Sequence, residues 1–537
     1  MQMKGIICAL RLLLAAALTL QASAQTASQI ASGGNATDGY NMAPETRLEV
    51  VEAAVNSITN PLPAGPFQPT WDSLKANYHV PQWFVGAKFG LFMHWGLYSV
   101  PAHHNEWYEK HMYATESQWH AENFGPQDKF GYKDFIPLFT CSNFNADAWA
   151  DLFQKSGAKF VIPTAQHHDN FSLWDSQVNP VNAKNLGPKR DLIGELCRAV
   201  RKKGLKFGVS NHGIENFQFI NPTPDLAAKL KSEHADLYDP QWADFYHVAD
   251  RSDAACEKFL VDWYNRNVEL IDKYQPDLLW FDNGVDIRYL DPLKLRIAAY
   301  YYNRAREWGR DVSLSTKKAA FAPSDKNTET IGSILDFEKI GGRSPAGIRT
   351  GVWQVDEPIG STWSYTIGMR ISGPGPIVSK LADTVSKNGT LLLNLSPKSD
   401  GTFLPEIQTT LLAIGHWLQI NGEAIYDTHN WIKFGEGNNP GQNFRFTVKG
   451  DTLYAIILGK YPAEGAVITS LATSAPVTGE VREVTLLGST GPSEFTRDAT
   501  GLKVKLPATA PGQYAYTLKI TGLKMNPATD TPSGNPL

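Results

Sequence analysis

The chain has 537 residues, 42% hydrophobic and 11% aromatic, which is enough apolar material for a large core and two domains. Its 50 basic and 54 acidic residues leave a net charge of −4, so no basic surface for nucleic acid is implied. Four cysteines are too few for a disulfide-built scaffold, and stability must come from buried area.

Lys4 and Arg11 accompany an apolar stretch from Ile6 to Leu20, followed by Ala22-Ser23-Ala24 before Gln25. That order predicts a signal peptide over residues 1–24 and export to the periplasm or beyond. No later apolar run approaches the ~20 residues needed to cross a bilayer. Residues 25–70, rich in Ala, Ser, Thr, Asn and Pro, read as a loosely ordered lead with one helix near Pro44 to Ile58.

From Trp83 onward, short β-rich runs alternate with helical ones, the pattern of a parallel sheet. Eight strand candidates end near Tyr98, Ala165, Asn211, Asp282, Thr316, Glu338, Val355 and Ser396. Between them, Ala146 to Ser156, Asp191 to Lys203, Ala255 to Lys273, Pro292 to Trp308 and Ile377 to Lys387 carry apolar residues at helical spacing. Gly157, Gly204 and Gly309 stand where helix ends need them. The class is therefore α/β, with a (β/α)8 TIM-like barrel over residues 71–425 closed by a helix from Glu406 to Ile420. Strands five to seven are weakly marked. After Tyr426, short alternating runs separated by Gly, Pro and Asp predict an antiparallel β-sandwich over 426–525, with a tail at 526–537.

The run Pro276-Asp277-Leu278-Leu279-Trp280-Phe281-Asp282 delivers an acid at the exit of an apolar strand, where barrel enzymes keep catalytic carboxylates. Three other strand-like runs also end in polar groups: Met93-His94-Trp95, His167-His168-Asp169 and Ser210-Asn211-His212. Independent strands would not place polar groups at one end by accident, so one rim of the barrel is the candidate site.

Five blocks carry a family resemblance: Lys88 to Pro101, Glu106-Trp107-Tyr108, His167-His168-Asp169, Leu279-Trp280-Phe281-Asp282, and Asn388 to Asn394. In this order the chain resembles the glycoside hydrolase family 29 α-L-fucosidases. The resemblance implies a retaining exo-α-L-fucosidase acting on fucosylated glycans, with no cofactor and no metal. One carboxylate attacks the anomeric carbon and a second protonates the departing oxygen, the two roughly 5–5.5 Å apart. Asp282 matches the nucleophile. Counting back from Trp353 assigns the general acid/base to Glu338, with Asp336 and Glu357 as competitors. In a strand, Asp336 and Glu338 share a face, so spacing cannot separate them. His94, Glu106, Trp107, His167, His168 and Trp280 match positions that bind or line the fucose site, and Trp363 is a candidate wall for the C6 methyl.

Two stretches depart from the family. Val209 to Glu215 stands where a Tyr-containing segment is common, and Leu314 to Lys318 where many members supply an Arg, leaving Asn211, His212 and Lys317 open as sugar contacts. Two other readings use the same residues. A metal-dependent barrel hydrolase could gather His94, His167, His168, His212 and Asp282 around an ion, although His167 and His168 project to opposite sides of a strand unless the chain bulges. A non-catalytic sugar-binding protein would need one of the two acids missing. Linkage preference and aglycone are set by loops around the pocket, and oligomeric state by the surfaces outside it.

Overall fold

A computed structural model describes residues 48–324, 326–338 and 345–525. The predicted signal segment, the first part of the lead and the predicted tail lie outside the described residues. The lead enters as helix α1 (Leu48–Ser57), whose Val50, Val51 and Ala54 pack against two barrel helices.

Eight strands close into one parallel barrel in chain order: β1 (Phe89–Met93), β2 (Phe160–Gln166), β3 (Lys206–Asn211), β4 (Leu278–Phe281), β5 (Ser313–Lys317), β6 (Ser333–Asp336), β7 (Trp353–Pro358) and β8 (Gly389–Leu395). Closure is made by β1 pairing with β8 from Phe89↔Leu391 to Met93↔Leu395. Helix α2 (Gln82–Ala87) precedes β1 and α3 (Ala146–Lys155), α4 (Leu192–Lys202), α5 (Asp253–Tyr274), α6 (Asp291–Trp308) and α7 (Pro374–Ser386) connect strands. Helix α8 (Pro405–Asn421) follows β8. Gly157, Gly204 and Gly309 take positive φ after helices, as their placement required. Among the described residues the β5–β6 and β6–β7 connections carry no helix, which is why the alternation faded there.

One predicted boundary is corrected. The first strand stops at Met93, and the segment expected to continue it to Tyr98 forms a 3-10 turn, Leu97–Ser99. The Ser99 hydroxyl donates to Gly96 O at 2.6 Å, folding the chain over the rim.

The barrel has two cores. Outward residues such as Phe89, Leu91, Leu279 and Phe281 meet the helices, while Phe84, Phe92, Phe160, Ile162, Leu278, Trp280, Ile334 and Leu392 fill the interior. Gly90 makes that filling fit, since a Cβ there would stand 2.3 Å from the Phe160 ring. Phe84 on α2, fully buried, plugs the N-terminal mouth, so substrate access falls to the opposite rim.

After β8 come β9 (His429–Asn439), β10 (Gln442–Lys449), β11 (Thr452–Leu458), β12 (Ala466–Ile468), β13 (Thr478–Leu486), β14 (Phe495–Asp498), β15 (Gly501–Val504) and β16 (Ala515–Lys524), in an antiparallel sheet of order β13-β16-β11-β10-β9 and a three-stranded sheet β12-β15-β14. Trp431, Phe446, Ile457, Val484, Leu502 and Leu518 belong to a core of their own there. The Trp417 indole on α8 donates to Ala515 O at 2.8 Å, and Arg445 pairs with Asp383 on α7 at 2.6 Å, tying this unit to the barrel. No helix of the described residues is long and apolar enough to cross a membrane.

Candidate active site

The site follows from strand parity. Inward residues alternate along a barrel strand, and continuing that parity past each apolar or neutral inner residue yields the polar ring at the open rim. Phe92 leads to His94, Ser210 to His212, Trp280 to Asp282, Ser315 to Lys317, Asp336 to Glu338, Gln354 to Asp356, and Leu392 to Asn394. Strand β2 is irregular: its register with β3 shifts between Thr164 and Gln166, and His167 and His168 lie just past its end. Both imidazoles therefore enter the pocket, with ring centroids 4.3 Å apart. The irregular end of β2 is the exception that lets adjacent histidines share one side.

Lys317 is the hub. Its ammonium nitrogen lies 2.9 Å from Asp282 Oδ1, 3.1 Å from Glu338 Oε2 and 3.7 Å from Asp356 Oδ2. Burial opposes a charge on Lys317, but the three carboxylates outweigh it and hold the ammonium protonated, well above the usual lysine range. Burial likewise pushes Asp282 up, yet Lys317 and His212 overcome it and keep the carboxyl well below the usual range. Asp282 is an anion at any working pH. Beneath it, burial and the neighbouring Asp336 push Asp356 well above the carboxylate range. Asp336 accepts from the Trp280 indole at 2.9 Å and from the Gln354 amide.

The histidines are fixed by their outer nitrogens. His94 Nδ1 lies 2.8 Å from Asn394 Oδ1, and Asn394 in turn donates to Trp363 O at 2.7 Å. His168 Nδ1 donates to His212 O at 3.1 Å, and its Nε2 faces Asp282 Oδ2 at 3.6 Å. His212 Nε2 lies 3.0 Å from Ser210 Oγ and its Nδ1 3.1 Å from Asp282 Oδ2. Burial, then neighbouring positive groups, lower His94 and His167 well below the ordinary value, and burial brings His168 to about 3. At neutral pH these are uncharged rings whose inner nitrogens can accept hydroxyl protons. Two triads, His94–His167–His212 and His168–His212–Asp282, have the composition and proximity to hold a metal ion.

The family model described as "Alpha-L-fucosidase" matches residues 55–423, and "Alpha-L-fucosidase C-terminal domain" matches 438–521. The chain belongs to the α-L-fucosidase family. Rat tissue alpha-L-fucosidase is 32% identical over 480 residues, covering 85% of this chain and 92% of that protein. Human tissue alpha-L-fucosidase is 31% identical over 494 residues, covering 88% and 95%. A crystal structure of Thermotoga maritima alpha-fucosidase is 30% identical with a TM-score of 0.67, covering 85% of this chain and 100% of that one; another describes a complex of that enzyme with fucose, at TM-score 0.66.

Within this fucosidase fold the residues expected from sequence gather at one rim. His94 lies 5.2 Å from the Trp363 ring, His94 and His167 are 5.5 Å apart, and Trp107 stands 6.2 Å from His168. Buried Glu106 accepts from Ser364 N at 3.4 Å, and burial first, then Glu338 and Asp282, pushes it up to about 7. Trp280 is fully buried and forms a floor, its ring beneath the Lys317 ammonium at 5.1 Å. Asp336 and Glu338 do lie over the same interior, but at different depths: Asp336 is committed to Trp280 and Gln354 below, and Glu338 reaches Lys317 above. Glu357 pairs with Lys380 on α7 at 3.2 Å, away from Lys317.

Of the three residues left open, Asn211 turns away, bonding Asn267 and Gly213 N, while His212 and Lys317 face Asp282. Glu215, missed altogether, sits 3.4 Å from His168 Nδ1. Burial, then Asp282, raises it to about 8. Parity past Ser315 would have singled out Lys317; no sequence signal announces Glu215, which reaches the site from a turn.

Proposed function

We propose that the chain is a retaining exo-α-L-fucosidase, exported through residues 1–24, that releases terminal α-L-fucosyl residues through a covalent glycosyl-enzyme. The observation that carries this reading is the Lys317 bridge. Its two arms, 2.9 and 3.1 Å, cap the separation of the nearer Asp282 and Glu338 oxygens at about 6 Å, below the roughly 6.5–9.5 Å that inverting enzymes leave for water.

Asp282, ionised beside Lys317, attacks the anomeric carbon as Glu338 gives its proton to the departing oxygen. Glu338 then takes a proton from water, which attacks the same carbon and frees Asp282. The neutral imidazoles of His94, His167 and His168 accept hydroxyl protons, and a sugar lacking those hydroxyls leaves buried nitrogens unpaired. Trp363 offers the C6 methyl an apolar wall. Relatives in this family are described in complex with fucose and with a mechanism-based inhibitor, which supports the same chemistry here.

Replacing Asp282 by Gly and supplying azide tests the assignment. Azide attacking from the vacated face gives the β-L-fucosyl azide, whereas the unaltered enzyme releases α-L-fucose first. Absence of rescue, or β-L-fucose as first product, would sink the mechanism.

A further inference from the structure

We propose that the sugar pocket is also a binding site for a borderline divalent transition ion such as zinc, held by His94, His167 and His212 in competition with fucose. The three rings are buried and mutually close, with centroid separations of 5.5, 5.3 and 4.9 Å, and one ligand atom from each lies within 4.8 Å of the others. A tetrahedral zinc ion with bonds of about 2.0–2.1 Å needs donors about 3.4 Å apart, so the rings must close inward by about an ångström.

The hydrogen bonds already in place suit that role. Metal-binding histidines hold their outer N–H against an oxygen, which fixes the tautomer and turns the inner lone pair toward the ion. Here His94 Nδ1 is anchored by Asn394 Oδ1 at 2.8 Å, and Ser210 Oγ, 3.0 Å from His212 Nε2, can accept the proton that frees Nδ1. Among the described residues His167 Nδ1 is buried with no hydrogen-bond partner. His168 Nε2 and Asp282 Oδ2 face each other at 3.6 Å as two acceptors, and with His212 they form a second triad that shares His212 with the first, so an ion in that second position would touch Asp282.

Imidazole donors select zinc, copper or nickel over magnesium and calcium. Lys317, 2.9 Å from Asp282, opposes the ion's charge and keeps the site from being a permanent metal centre. Sugar hydroxyls and the ion need the same inner nitrogens, so binding is mutually exclusive.

Equilibrium dialysis of chelator-treated enzyme against zinc chloride, with and without saturating L-fucose, tests this directly. The expected result is one fucose-displaceable zinc per chain, at least about ten-fold weaker binding in His212→Asn, and zinc raising apparent KM on an aryl α-L-fucoside with kcat unchanged. Magnesium should do nothing, and chelator should restore the rate. If the variant fails to fold, fucose displacement on the unaltered enzyme decides. Zinc that fucose does not displace, inhibition through kcat alone, no retained zinc, or a rate that zinc increases would each overturn the proposal. Activity of the chelated enzyme is measured separately, so loss of the zinc site leaves the fucosidase reading intact.

Discussion

Replacing Lys317 by Met removes a cation shared by Asp282, Glu338 and Asp356 while keeping an unbranched side chain of similar length. In the parent, Asp282 is buried and held ionised by that ammonium at 2.9 Å. At an effective dielectric of about 20, unit charges about 3 Å apart attract by about 5 kcal/mol, and two carboxylates about 6 Å apart repel by about 3 kcal/mol. Losing the first and exposing the second shifts Asp282 upward. Measured costs of orphaning a buried charge, about 3–5 kcal/mol, agree with that scale. Asp282 then holds its proton to higher pH than it does in the parent. The expected outcome is a fall in kcat/KM of about 100-fold or more near pH 5, with the acidic limb of the pH–rate profile displaced upward. Lys317→Arg, which restores the charge, should recover much of the loss. Initial rates on an aryl α-L-fucoside across pH 4–9, with circular dichroism to establish folding, measure both. A folded Met variant with an unmoved acidic limb and a loss below about three-fold would refute the electrostatic reasoning.

Glu338→Ala should depress cleavage of a natural fucosylated glycan by about 100- to 10,000-fold. An aryl fucoside with a good leaving group should keep glycosyl-enzyme formation; equal losses on both would remove Glu338 from the acid/base role. Glu215 holds its proton in the folded chain up to about pH 8, against 4.5 for the free side chain. Its stabilising contribution is thus complete below about pH 4.5 and lost as pH rises through 8, so Glu215→Gln should show a flatter melting temperature between pH 5 and 8.5. Parallel curves for parent and variant would contradict this. Gly415 on α8 faces the end of α3 so closely that a Cβ would stand 1.9 Å from Lys155 O. Gly415→Ala should cost about 1–3 kcal/mol and several degrees in calorimetry, and an unchanged transition would show that the helices can part freely.

How much of this was legible in the chain depended on which interactions are local. Short β-rich runs alternating with helical periodicity carried the barrel, because burial on both faces of a parallel strand leaves a continuous apolar signature. Where the β5–β6 and β6–β7 connections dispense with helices, that signature weakened. Asp282 and the histidines stood out because a polar residue at the exit of an apolar strand breaks a local pattern. The second sheet unit was visible in its turn residues and short alternating runs.

Other features were settled by closure. Asp336 and Glu338 share a parity that sequence spacing cannot break, and depth separated them: one is held by Trp280 below, the other by Lys317 above. Adjacent His167 and His168 converge because the register slips near the end of β2. Lys317 became a hub, and Glu215 a neighbour of His168, when eight strand ends met in a ring. Residue order along one strand is a one-dimensional property that the amino acids themselves specify. Proximity between charges from β4, β5, β6 and β7 exists once the sheet bends back on itself, and the catalytic electrostatics reside in that proximity.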